Sequence, residues 1–282
     1  MSATRVAIIV LNYRGEEVLL RCLRSLKKAI GLNDRILVVD NGHESELMNR
    51  VKVEFPDIEI LVAPTNRGFA AGMNLGIRQM QARGSFDAFW LINNDASVAS
   101  DALTQLKRAF EALGSRALFS PVIFSGRGIW YAGGKIDFLR MRTVHRSVPI
   151  SMQQPFTTDF ITGCALFIPQ AVIARQGLFD ERYFLYYEDA AYSLAARRSG
   201  VPLWVVPQAQ VFHSEESRNN PMKTYWLVRS GVEFFLRESR DVWWGWVRFF
   251  LFFRRLKNWF ENTYRPKPIA AEVKRAYTDA SL

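Results

Sequence analysis

Short hydrophobic runs alternate with helix-like segments through the first third of the chain. The runs are almost purely apolar, as expected for strands that are buried on both faces. They are "VAIIVLNY" at 6–13, "RILVVDN" at 35–41, "IEILVAP" at 58–64 and "FDAFWLINND" at 86–95. Between the first two runs, "GEEVLLRCLRSLKKAIG" has apolar residues at helical spacing and a stop signal at Gly31. This alternation predicts a parallel sheet with helices on both faces.

The pattern becomes looser after residue 115. "FITGCALFIP" at 160–169 and the apolar run that ends at His213 predict two further strands. Ahead of them lies a basic patch that consists of Arg140, Arg142, His145 and Arg146. The chain has no internal repeat and no low-complexity segment. Its length suits one large α/β domain with an appendage, or two small domains.

Polar residues stand at the carboxyl ends of predicted strands, namely Asn12, Asp40 and Asp95. Ligands of parallel α/β sheets bind outside these strand ends, so we expect the three side chains to converge on one crevice. Asp95 follows Asn93 and Asn94, and hard oxygen ligands of this kind suit Mg²⁺ or Mn²⁺ carrying a diphosphate. A turn ahead of the next helix explains "NND" equally well.

Two adjacent acids, Glu188 and Asp189, follow a cluster of aromatic residues. The cluster comprises Tyr183, Phe184, Tyr186 and Tyr187. An acid beside an apolar wall is partly desolvated, which raises its pKa and suits a general base. The same pair would also suit the first turn of a helix, where acids complement the helix dipole.

Several common ligand sites lack their signals in this chain. The first strand runs into "NYRGEEV" instead of G-x-G-x-x-G, and no GxxxxGK[ST], HExxH or cysteine cluster is present. Nicotinamide, P-loop and zinc sites are therefore disfavoured. Cys22 and Cys164 form no CxxC pair, so a reducing compartment is expected. The N-terminal run is too short for a signal peptide, and no segment is long enough to cross a bilayer.

The C-terminal quarter carries most of the positive charge. The formal net charge is +10, and residues 218–282 hold 13 Lys and Arg against 6 Asp and Glu, a net of +7. Within this region, "VWWGWVRFFLFFRRLKNWF" at 242–260 predicts an amphipathic helix. Its apolar face is formed by Phe249, Phe252, Phe253, Leu256 and Phe260, and away from that face lie Arg248, Arg255, Lys257 and Asn258.

Such a helix suits the interface of an anionic membrane. Packing against the rest of the chain or against a second copy explains the same pattern. Nucleic acid is a poorer partner, because the basic residues of 242–260 sit on a strongly apolar helix.

The ordered motifs of the chain resemble those of family 2 glycosyltransferases with the GT-A fold, in the subgroup that contains many bacterial rhamnosyltransferases. The resemblance begins with "VAIIVLNYRGEEVLLRCLRSL" and "ILVVDN" and continues through "NRGFAAGMNLGIR" and "FWLINND". It runs on through "FITGCALFIP", "GLFDERYFLYYEDAAYSLAARRSG", "AQVFH" and "YWLVRS", and so covers roughly residues 5 to 235. The implied fold is α/β, with a mostly parallel, Rossmann-like sheet flanked by helices and a C-terminal amphipathic helical extension.

The resemblance also implies a nucleotide-sugar site. Asp40 matches an acid that contacts the base or ribose, and the "NRGFAAGMN" segment matches a helix start that lines the nucleotide pocket. For Gly68, a loop that merely needs glycine is an alternative explanation. The full set implied for this site is Asn12, Asp40, Asn66, Gly68, Asn74, Asn94 and Asp95.

The implied metal and catalytic residues lie at two further places in the chain. Asp95 matches the last acid of a DxD-like metal motif, and His213 matches a late histidine that completes the metal site in some relatives. Because the motif reads "NND", only one carboxylate is available there. Glu188 and Asp189 match the family's ED pair, whose Asp is the general base in inverting members, while Glu188 would shape the site.

The implied protein is an inverting, metal-dependent glycosyltransferase, with dTDP-rhamnose as the donor and a lipid-linked or surface glycan as the acceptor. It would work in the cytoplasm, at the inner face of the cell membrane. Ala191 and Ala195 stand where relatives often have an acid and an arginine, which bears on the acceptor contacts. The expected division is a catalytic domain at 1–217, with halves that meet near 115, and a helical region at 218–282.

Two other classes of protein stay open. One is a catalytically silent relative that binds a sugar nucleotide or scaffolds a glycan assembly complex. The other is a nucleotidyltransferase, which shares the α/β sheet, although its glycine-rich N-terminal loop is missing from this chain.

Overall fold

The computed structural model describes residues 4–126, 128–214, 220–239, 242–264 and 268–280. Within these residues the strands are β1 (Val6–Asn12), β2 (Arg35–Asp40), β3 (Glu59–Val62), β4 (Ala88–Asn93), β5 (Ala96–Val98), β6 (Leu118–Ser125), β7 (Gly128–Tyr131), β8 (Gly134–Asp137), β9 (Arg142–His145), β10 (Phe156–Thr157), β11 (Ala165–Pro169) and β12 (Leu203–His213). The helices are α1 (Glu16–Ala29), α2 (Ser45–Glu54), α3 (Gly68–Arg83), α4 (Ala102–Leu113), α5 (Gln170–Gln176), α6 (Glu188–Arg198), α7 (Pro221–Glu238), α8 (Val242–Tyr264) and α9 (Pro268–Asp279).

The first four strands form the parallel half of the central sheet, in the order β3-β2-β1-β4. Each of them begins and ends within two residues of the hydrophobic run that predicted it. The helical segment between the first two runs is α1, again as predicted. The predicted α/β architecture is confirmed for this part of the chain.

The second half makes the sheet mixed. Beyond β4 the order continues β11-β6-β12-β10, and β11 runs antiparallel to both β4 and β6. The described residues between β6 and β11 hold only short strands, whereas a parallel connection usually needs a crossover helix. The strand predicted at 160–169 begins only at Ala165, because the residues before it form a turn. A mostly parallel sheet therefore describes β1 to β4 better than the whole sheet.

Helices cover both faces of the parallel half, and this explains why every residue of β1 is buried. Side chains alternate between the two faces along a strand. Ile8 belongs to a cluster that contains Leu23 of α1. Ile9 belongs to a second cluster, which contains Met73 and Ile77 of α3. The two packed layers hold the carboxyl ends of β1, β2 and β4 in fixed positions at one edge of the sheet.

Helix α7 connects the C-terminal helices to the rest of the protein. Ser230 Oγ donates a hydrogen bond to Leu185 O at 2.8 Å, and Tyr225 donates one to the Asp279 carboxylate of α9 at 2.6 Å. The domain boundary expected after residue 217 lies outside the described residues, so the division there stays a prediction. In the described ranges, no helix is long and apolar enough to cross a membrane.

Candidate functional site

Two adjoining cavities open at the carboxyl ends of the parallel strands. The amide-lined cavity encloses about 520 Å³, and its wall includes Asn41, Asn66, Gly68, Asn93, Asn94 and Asn220. The acidic cavity encloses about 390 Å³, and its wall includes Asp95, Glu188, Asp189, His145 and His213. The two walls share Phe69, Asn93, Leu185 and Lys223. The cavities therefore form one crevice at this edge of the sheet. Of the three strand-end side chains expected to converge there, Asp95 lines a wall, whereas Asn12 and Asp40 do not.

Asn12 and Asp40 lie behind the wall of the amide-lined cavity. The Asn12 amide donates to Glu44 Oε2 at 2.7 Å, and its Oδ1 accepts from Asn94 Nδ2 at 2.8 Å. The Asp40 carboxylate accepts from the backbone N–H groups of Gly42 at 3.0 Å and Glu44 at 2.8 Å. Both residues thus hold the strand-end loops in place, and the structure brings Asn12 into contact with Asn94.

Asn41 reaches the cavity wall where its neighbour Asp40 does not. Its Nδ2 donates to Asn66 Oδ1 at 2.8 Å and to Gly68 O at 3.3 Å. Asn66 Oδ1 also accepts from Gly68 N at 2.9 Å. Asn41 could not be picked out from the sequence, because a strand end alone does not show which of two adjacent polar side chains faces a ligand.

Gly68 is required by a close approach of two backbone segments. Its φ is +90°, and a Cβ atom there would lie 2.0 Å from the carbonyl oxygen of Phe184. The next residue, Phe69, donates its N–H to that oxygen at 2.7 Å. The start of α3 is thereby joined to the aromatic segment that precedes the acid pair.

Asn74 is predicted at the nucleotide site, but the structure does not bring it to either cavity wall. It is fully buried in α3. Its Nδ2 donates to Phe179 O at 2.9 Å and to Glu181 Oε1 at 3.0 Å, and its Oδ1 accepts from Phe179 N. The side chain holds the loop that leads to the acid pair.

A strained turn presents the acid pair to the acidic cavity. Tyr186 and Tyr187 both have a φ of 68°, in the left-handed region that costs a non-glycine residue on the order of 1–2 kcal/mol. Such strain is typical of functional sites. Helix α6 begins directly after the turn, and Asp189 accepts from Gly163 N and Ala190 N, both at 2.8 Å. The base candidate is therefore held in one orientation.

Burial changes the acidity of both carboxyl groups. It raises the pKa of Asp189 to about 6, although hydrogen bonds from the N–H groups of Gly163 and Ala190 oppose the shift. Burial raises the pKa of Glu188 well above its usual value, and the charge of Asp189 raises it further. Glu188 Oε2 has no hydrogen-bond partner in the structure. The pair thus combines a basic carboxylate with a neighbour that resists ionisation.

Asp95 and His213 meet at the other side of the acidic cavity. Asp95 Oδ1 lies 3.2 Å from His213 Nε2, yet neither Asp95 Oδ1 nor His213 Nδ1 makes a hydrogen bond. Ligands that are about 2.1 Å from an octahedral ion lie about 3 Å from each other, so the two side chains fit a divalent cation. The described residues contain no group of three or more His, Cys, Asp or Glu that could hold a metal ion.

Lys223 lies where the two cavities meet. It stands in the first turn of α7, whose N-cap Asn220 accepts from Met222 N at 2.9 Å. The ring of Trp226, one turn further along α7, stacks on Phe184 with centroids 4.4 Å apart. A lysine at a helix N-terminus makes a positive site between the cavities. Lys223 could not be picked out from the sequence, because its approach to the strand ends depends on how α7 folds back over the sheet.

A larger cavity of about 690 Å³ lies at the amino end of β12 and includes Lys135, Arg146 and Arg197 in its wall. It shares His145 with the acidic cavity but contains none of the strand-end acids. Burial, together with the charge of His213, lowers the pKa of His145 to about 4. The chemistry at the strand ends makes the two smaller cavities the candidate site.

The family model described as Glycosyl transferase family 2 matches residues 6–174, which is more than half of the chain. The chain therefore belongs to glycosyl transferase family 2, and the resemblance found from its motifs is confirmed. Its mixed sheet flanked by helices is the GT-A fold that the resemblance implied.

Two relatives and one solved structure illustrate the similarity. The chain is 24% identical over 216 residues to the low-salt glycan biosynthesis hexosyltransferase Agl10 of Haloferax volcanii, covering 74% of this chain and 67% of the relative. It is 22% identical over 262 residues to an N-acetylglucosaminyl-diphospho-decaprenol L-rhamnosyltransferase of Mycobacterium tuberculosis, covering 84% and 85%. The crystal structure of GalNAc-T7 with UDP, GalNAc and Mn²⁺ matches with a TM-score of 0.69 and 16% identity, covering 99% of this chain. This chain spans 55% of the GalNAc-T7 chain, and a likeness at that identity shows the fold alone.

Proposed function

We propose that the chain is an inverting, metal-dependent glycosyltransferase. The observation that carries the proposal is the Asp189 carboxylate, which is buried, fixed by two backbone N–H groups and raised in pKa to about 6. Such a carboxylate accepts a proton from a hydroxyl group more readily than an exposed aspartate does. It lines the same cavity as Asp95 and His213, so the base faces the candidate cation site.

The nucleotide sugar would lie across both cavities. Its base and ribose would occupy the amide-lined cavity, and its sugar would enter the acidic cavity. Lys223, at the junction, would contact the diphosphate that links the two parts. The residues proposed to form or support this donor site are Asn12, Asp40, Asn66, Gly68, Asn74, Asn94 and Asp95.

Asp95 and His213 would hold the divalent cation, Mg²⁺ or Mn²⁺, through the two atoms that lie 3.2 Å apart. When bound, the cation supplies Lewis-acid stabilisation of the departing nucleoside diphosphate. The GalNAc-T7 structure contains Mn²⁺, which supports a divalent cation as the cofactor of this fold.

In the proposed reaction, Asp189 takes the proton of an acceptor hydroxyl while the hydroxyl oxygen attacks the anomeric carbon of the sugar. The new carbon–oxygen bond forms on the face opposite the diphosphate, and the bond to the diphosphate oxygen breaks. The configuration at the anomeric carbon is therefore inverted. Glu188 shapes the pocket beside the base, and the strained Tyr186–Tyr187 turn keeps both acids in the cavity wall.

We assign L-rhamnose from dTDP-rhamnose as the transferred sugar and a lipid-linked or surface glycan as the acceptor, within surface polysaccharide biosynthesis. The relative whose name specifies a diphospho-decaprenol acceptor and L-rhamnose supports the choice of sugar and of a lipid-linked acceptor. A lipid-linked acceptor would be met by a cytoplasmic protein associated with the inner face of the cell membrane. Residues 242–260 are the candidate membrane contact, with pairing of two copies as the alternative.

Hydrolysis of dTDP-rhamnose in the presence of Mn²⁺, in which water takes the place of the acceptor hydroxyl and nucleoside diphosphate is released, tests the proposed reaction. We expect wild-type protein to release it, and the Asp189→Ala variant to lose this activity while still binding the donor. Donor binding without turnover by the wild-type protein would identify a catalytically silent relative. Release of pyrophosphate from a nucleoside triphosphate would identify a nucleotidyltransferase instead.

A further inference from the structure

Helix α8 exposes a row of large apolar side chains along one side. Helical spacing places these residues together, opposite a narrow buried stripe of Val247, Leu251 and Asn258. The exposed residues are Phe249, Phe252, Phe253, Leu256, Trp259 and Phe260, each between 49% and 62% exposed. We call these six side chains the aromatic face. Packing within the described part of the chain covers the opposite stripe and leaves the aromatic face open.

Basic side chains border the aromatic face. Arg248 lies at one edge and Lys257 at the other, and the Arg248 guanidinium lies 4.4 Å from the centroid of the Trp244 ring. The sequence of α8 contains four Lys and Arg residues against one acid. Long basic side chains at the rim of an apolar surface can bury their stems while their charged ends reach anionic groups.

Strands β8 and β9 pair antiparallel as a hairpin, and its tip, residues 138–141, adds to this surface. Trp246 Nε1 donates a hydrogen bond to Leu139 O at 2.9 Å, which joins segments 107 positions apart in the chain. Leu139 is itself exposed, and the neighbouring Arg140 and Arg142 are exposed as well. The fold therefore brings part of the predicted basic patch to the edge of the aromatic face.

We propose that the aromatic face and the hairpin tip form a docking surface for an anionic lipid bilayer, with α8 lying in the plane of the interface. Tryptophan and phenylalanine suit the boundary between headgroups and acyl chains, and arginine and lysine suit lipid phosphates. Charge favours a bilayer over a second copy, because two copies would bring like charges together. This proposal rests on the membrane contact proposed above for residues 242–260, and it specifies the surface and the class of lipid. No residue of α8 lines either cavity of the candidate site, so its failure would leave the proposed reaction untouched.

Flotation of the full chain with phosphatidylcholine vesicles, with and without phosphatidylglycerol, tests the proposal. We expect binding only to the anionic vesicles, and at least a tenfold loss of affinity in the Phe252→Ser/Leu256→Ser variant. Leu32→Ser, at a position that is 97% exposed elsewhere on the protein, should bind normally. Lys257→Gln should weaken binding by about fivefold, whereas Lys52→Gln on α2 should not change it.

Two results would overturn the proposal. One is folded wild-type protein that binds neither kind of vesicle, or binds both equally. The other is a wild-type dimer that the Phe252→Ser/Leu256→Ser variant converts to a monomer without any vesicle binding, because the aromatic face would then serve a second copy. Diphosphate release from soluble donor should be unchanged in this variant, so loss of docking and failure of the proposed reaction are told apart.

Discussion

Replacing Asp189 by Asn removes the proposed base while it keeps the size of the side chain. The amide oxygen can accept one of the two hydrogen bonds that the carboxylate takes from Gly163 N and Ala190 N. The other N–H then faces an amide NH₂ group, at a cost of about 1–3 kcal/mol. Removal of a buried charge offsets part of that cost. We therefore expect the variant to fold, with a melting temperature within about 5 °C of wild type.

Activity should respond far more than stability. General-base catalysis contributes about 10²–10⁴-fold in rate, so kcat should fall by that factor, or about 3–5 kcal/mol in activation free energy. The donor KM should change little, because Asp189 is proposed to act on the acceptor hydroxyl, and the nucleotide would be held in the amide-lined cavity, whose wall does not include Asp189. Diphosphate release at saturating donor and Mn²⁺ measures both constants. Asp159→Asn, which changes an exposed carboxylate paired with Arg197, is the matched control and should remain active.

The pH dependence gives an independent check on the same group. A base with a pKa of about 6 loses activity below that pH, by about tenfold per pH unit. The free energy of unfolding should change with pH in the opposite direction to the activity. The reason is that the folded state keeps a proton on Asp189 that the unfolded chain releases. This group should therefore reduce stability as the pH rises from its unfolded pKa to about 6, and Asp189→Asn should remove that effect.

An Asn variant with more than about a tenth of wild-type kcat would refute the assignment of the base.

Three further changes probe the rest of the site. Asp95→Asn should raise the Mn²⁺ concentration needed for donor binding by at least about tenfold, as measured by calorimetry. An unchanged Mn²⁺ dependence would rule out Asp95 as a metal ligand. Gly68→Ala should lower the free energy of unfolding, measured by urea denaturation, by on the order of 3 kcal/mol, because the new methyl group would lie 2.0 Å from Phe184 O. The control is Gly114→Ala, because Gly114 has a similar φ of +95° but open space around it, and we expect it to lose about 1 kcal/mol. Equal losses in the two variants would refute the close approach to Phe184 as the cause. Lys223→Ala should weaken donor binding by about 10- to 100-fold, with recovery in Lys223→Arg, and normal affinity in the Ala variant would exclude a diphosphate contact.

The parallel half of the sheet could be predicted because its strands are buried on both faces and therefore appear as uninterrupted apolar runs. The same logic placed Asp95 at the edge where ligands bind, since each run ends in polar residues. The mixed pairing around β11 could not be predicted. It depends on which distant strands become neighbours, and the apolar pattern of β11 is the same for either direction.

The walls of the two cavities also depend on distant contacts. Asn41 faces the amide-lined cavity because Asp40 turns to bond the loop at Gly42. Lys223 reaches the junction because α7 is fastened to Leu185 through Ser230, a contact that no local pattern indicates. Residues whose position is set by the end of their own strand or helix could be inferred from the sequence. Residues that the packing of distant segments brings to the site could not.

The most direct test of the account is the melting temperature of purified protein in the presence of dTDP-rhamnose, UDP-glucose, UDP-galactose, UDP-N-acetylglucosamine and GDP-mannose, each with and without Mn²⁺. A ligand that binds only the folded state at 100 times its Kd adds about 2.7 kcal/mol of stability. We expect one nucleotide sugar, dTDP-rhamnose, to raise the melting temperature by about 5 °C, and only when Mn²⁺ is present. Folded protein whose melting temperature is unchanged by every nucleotide sugar, with or without Mn²⁺, would contradict it.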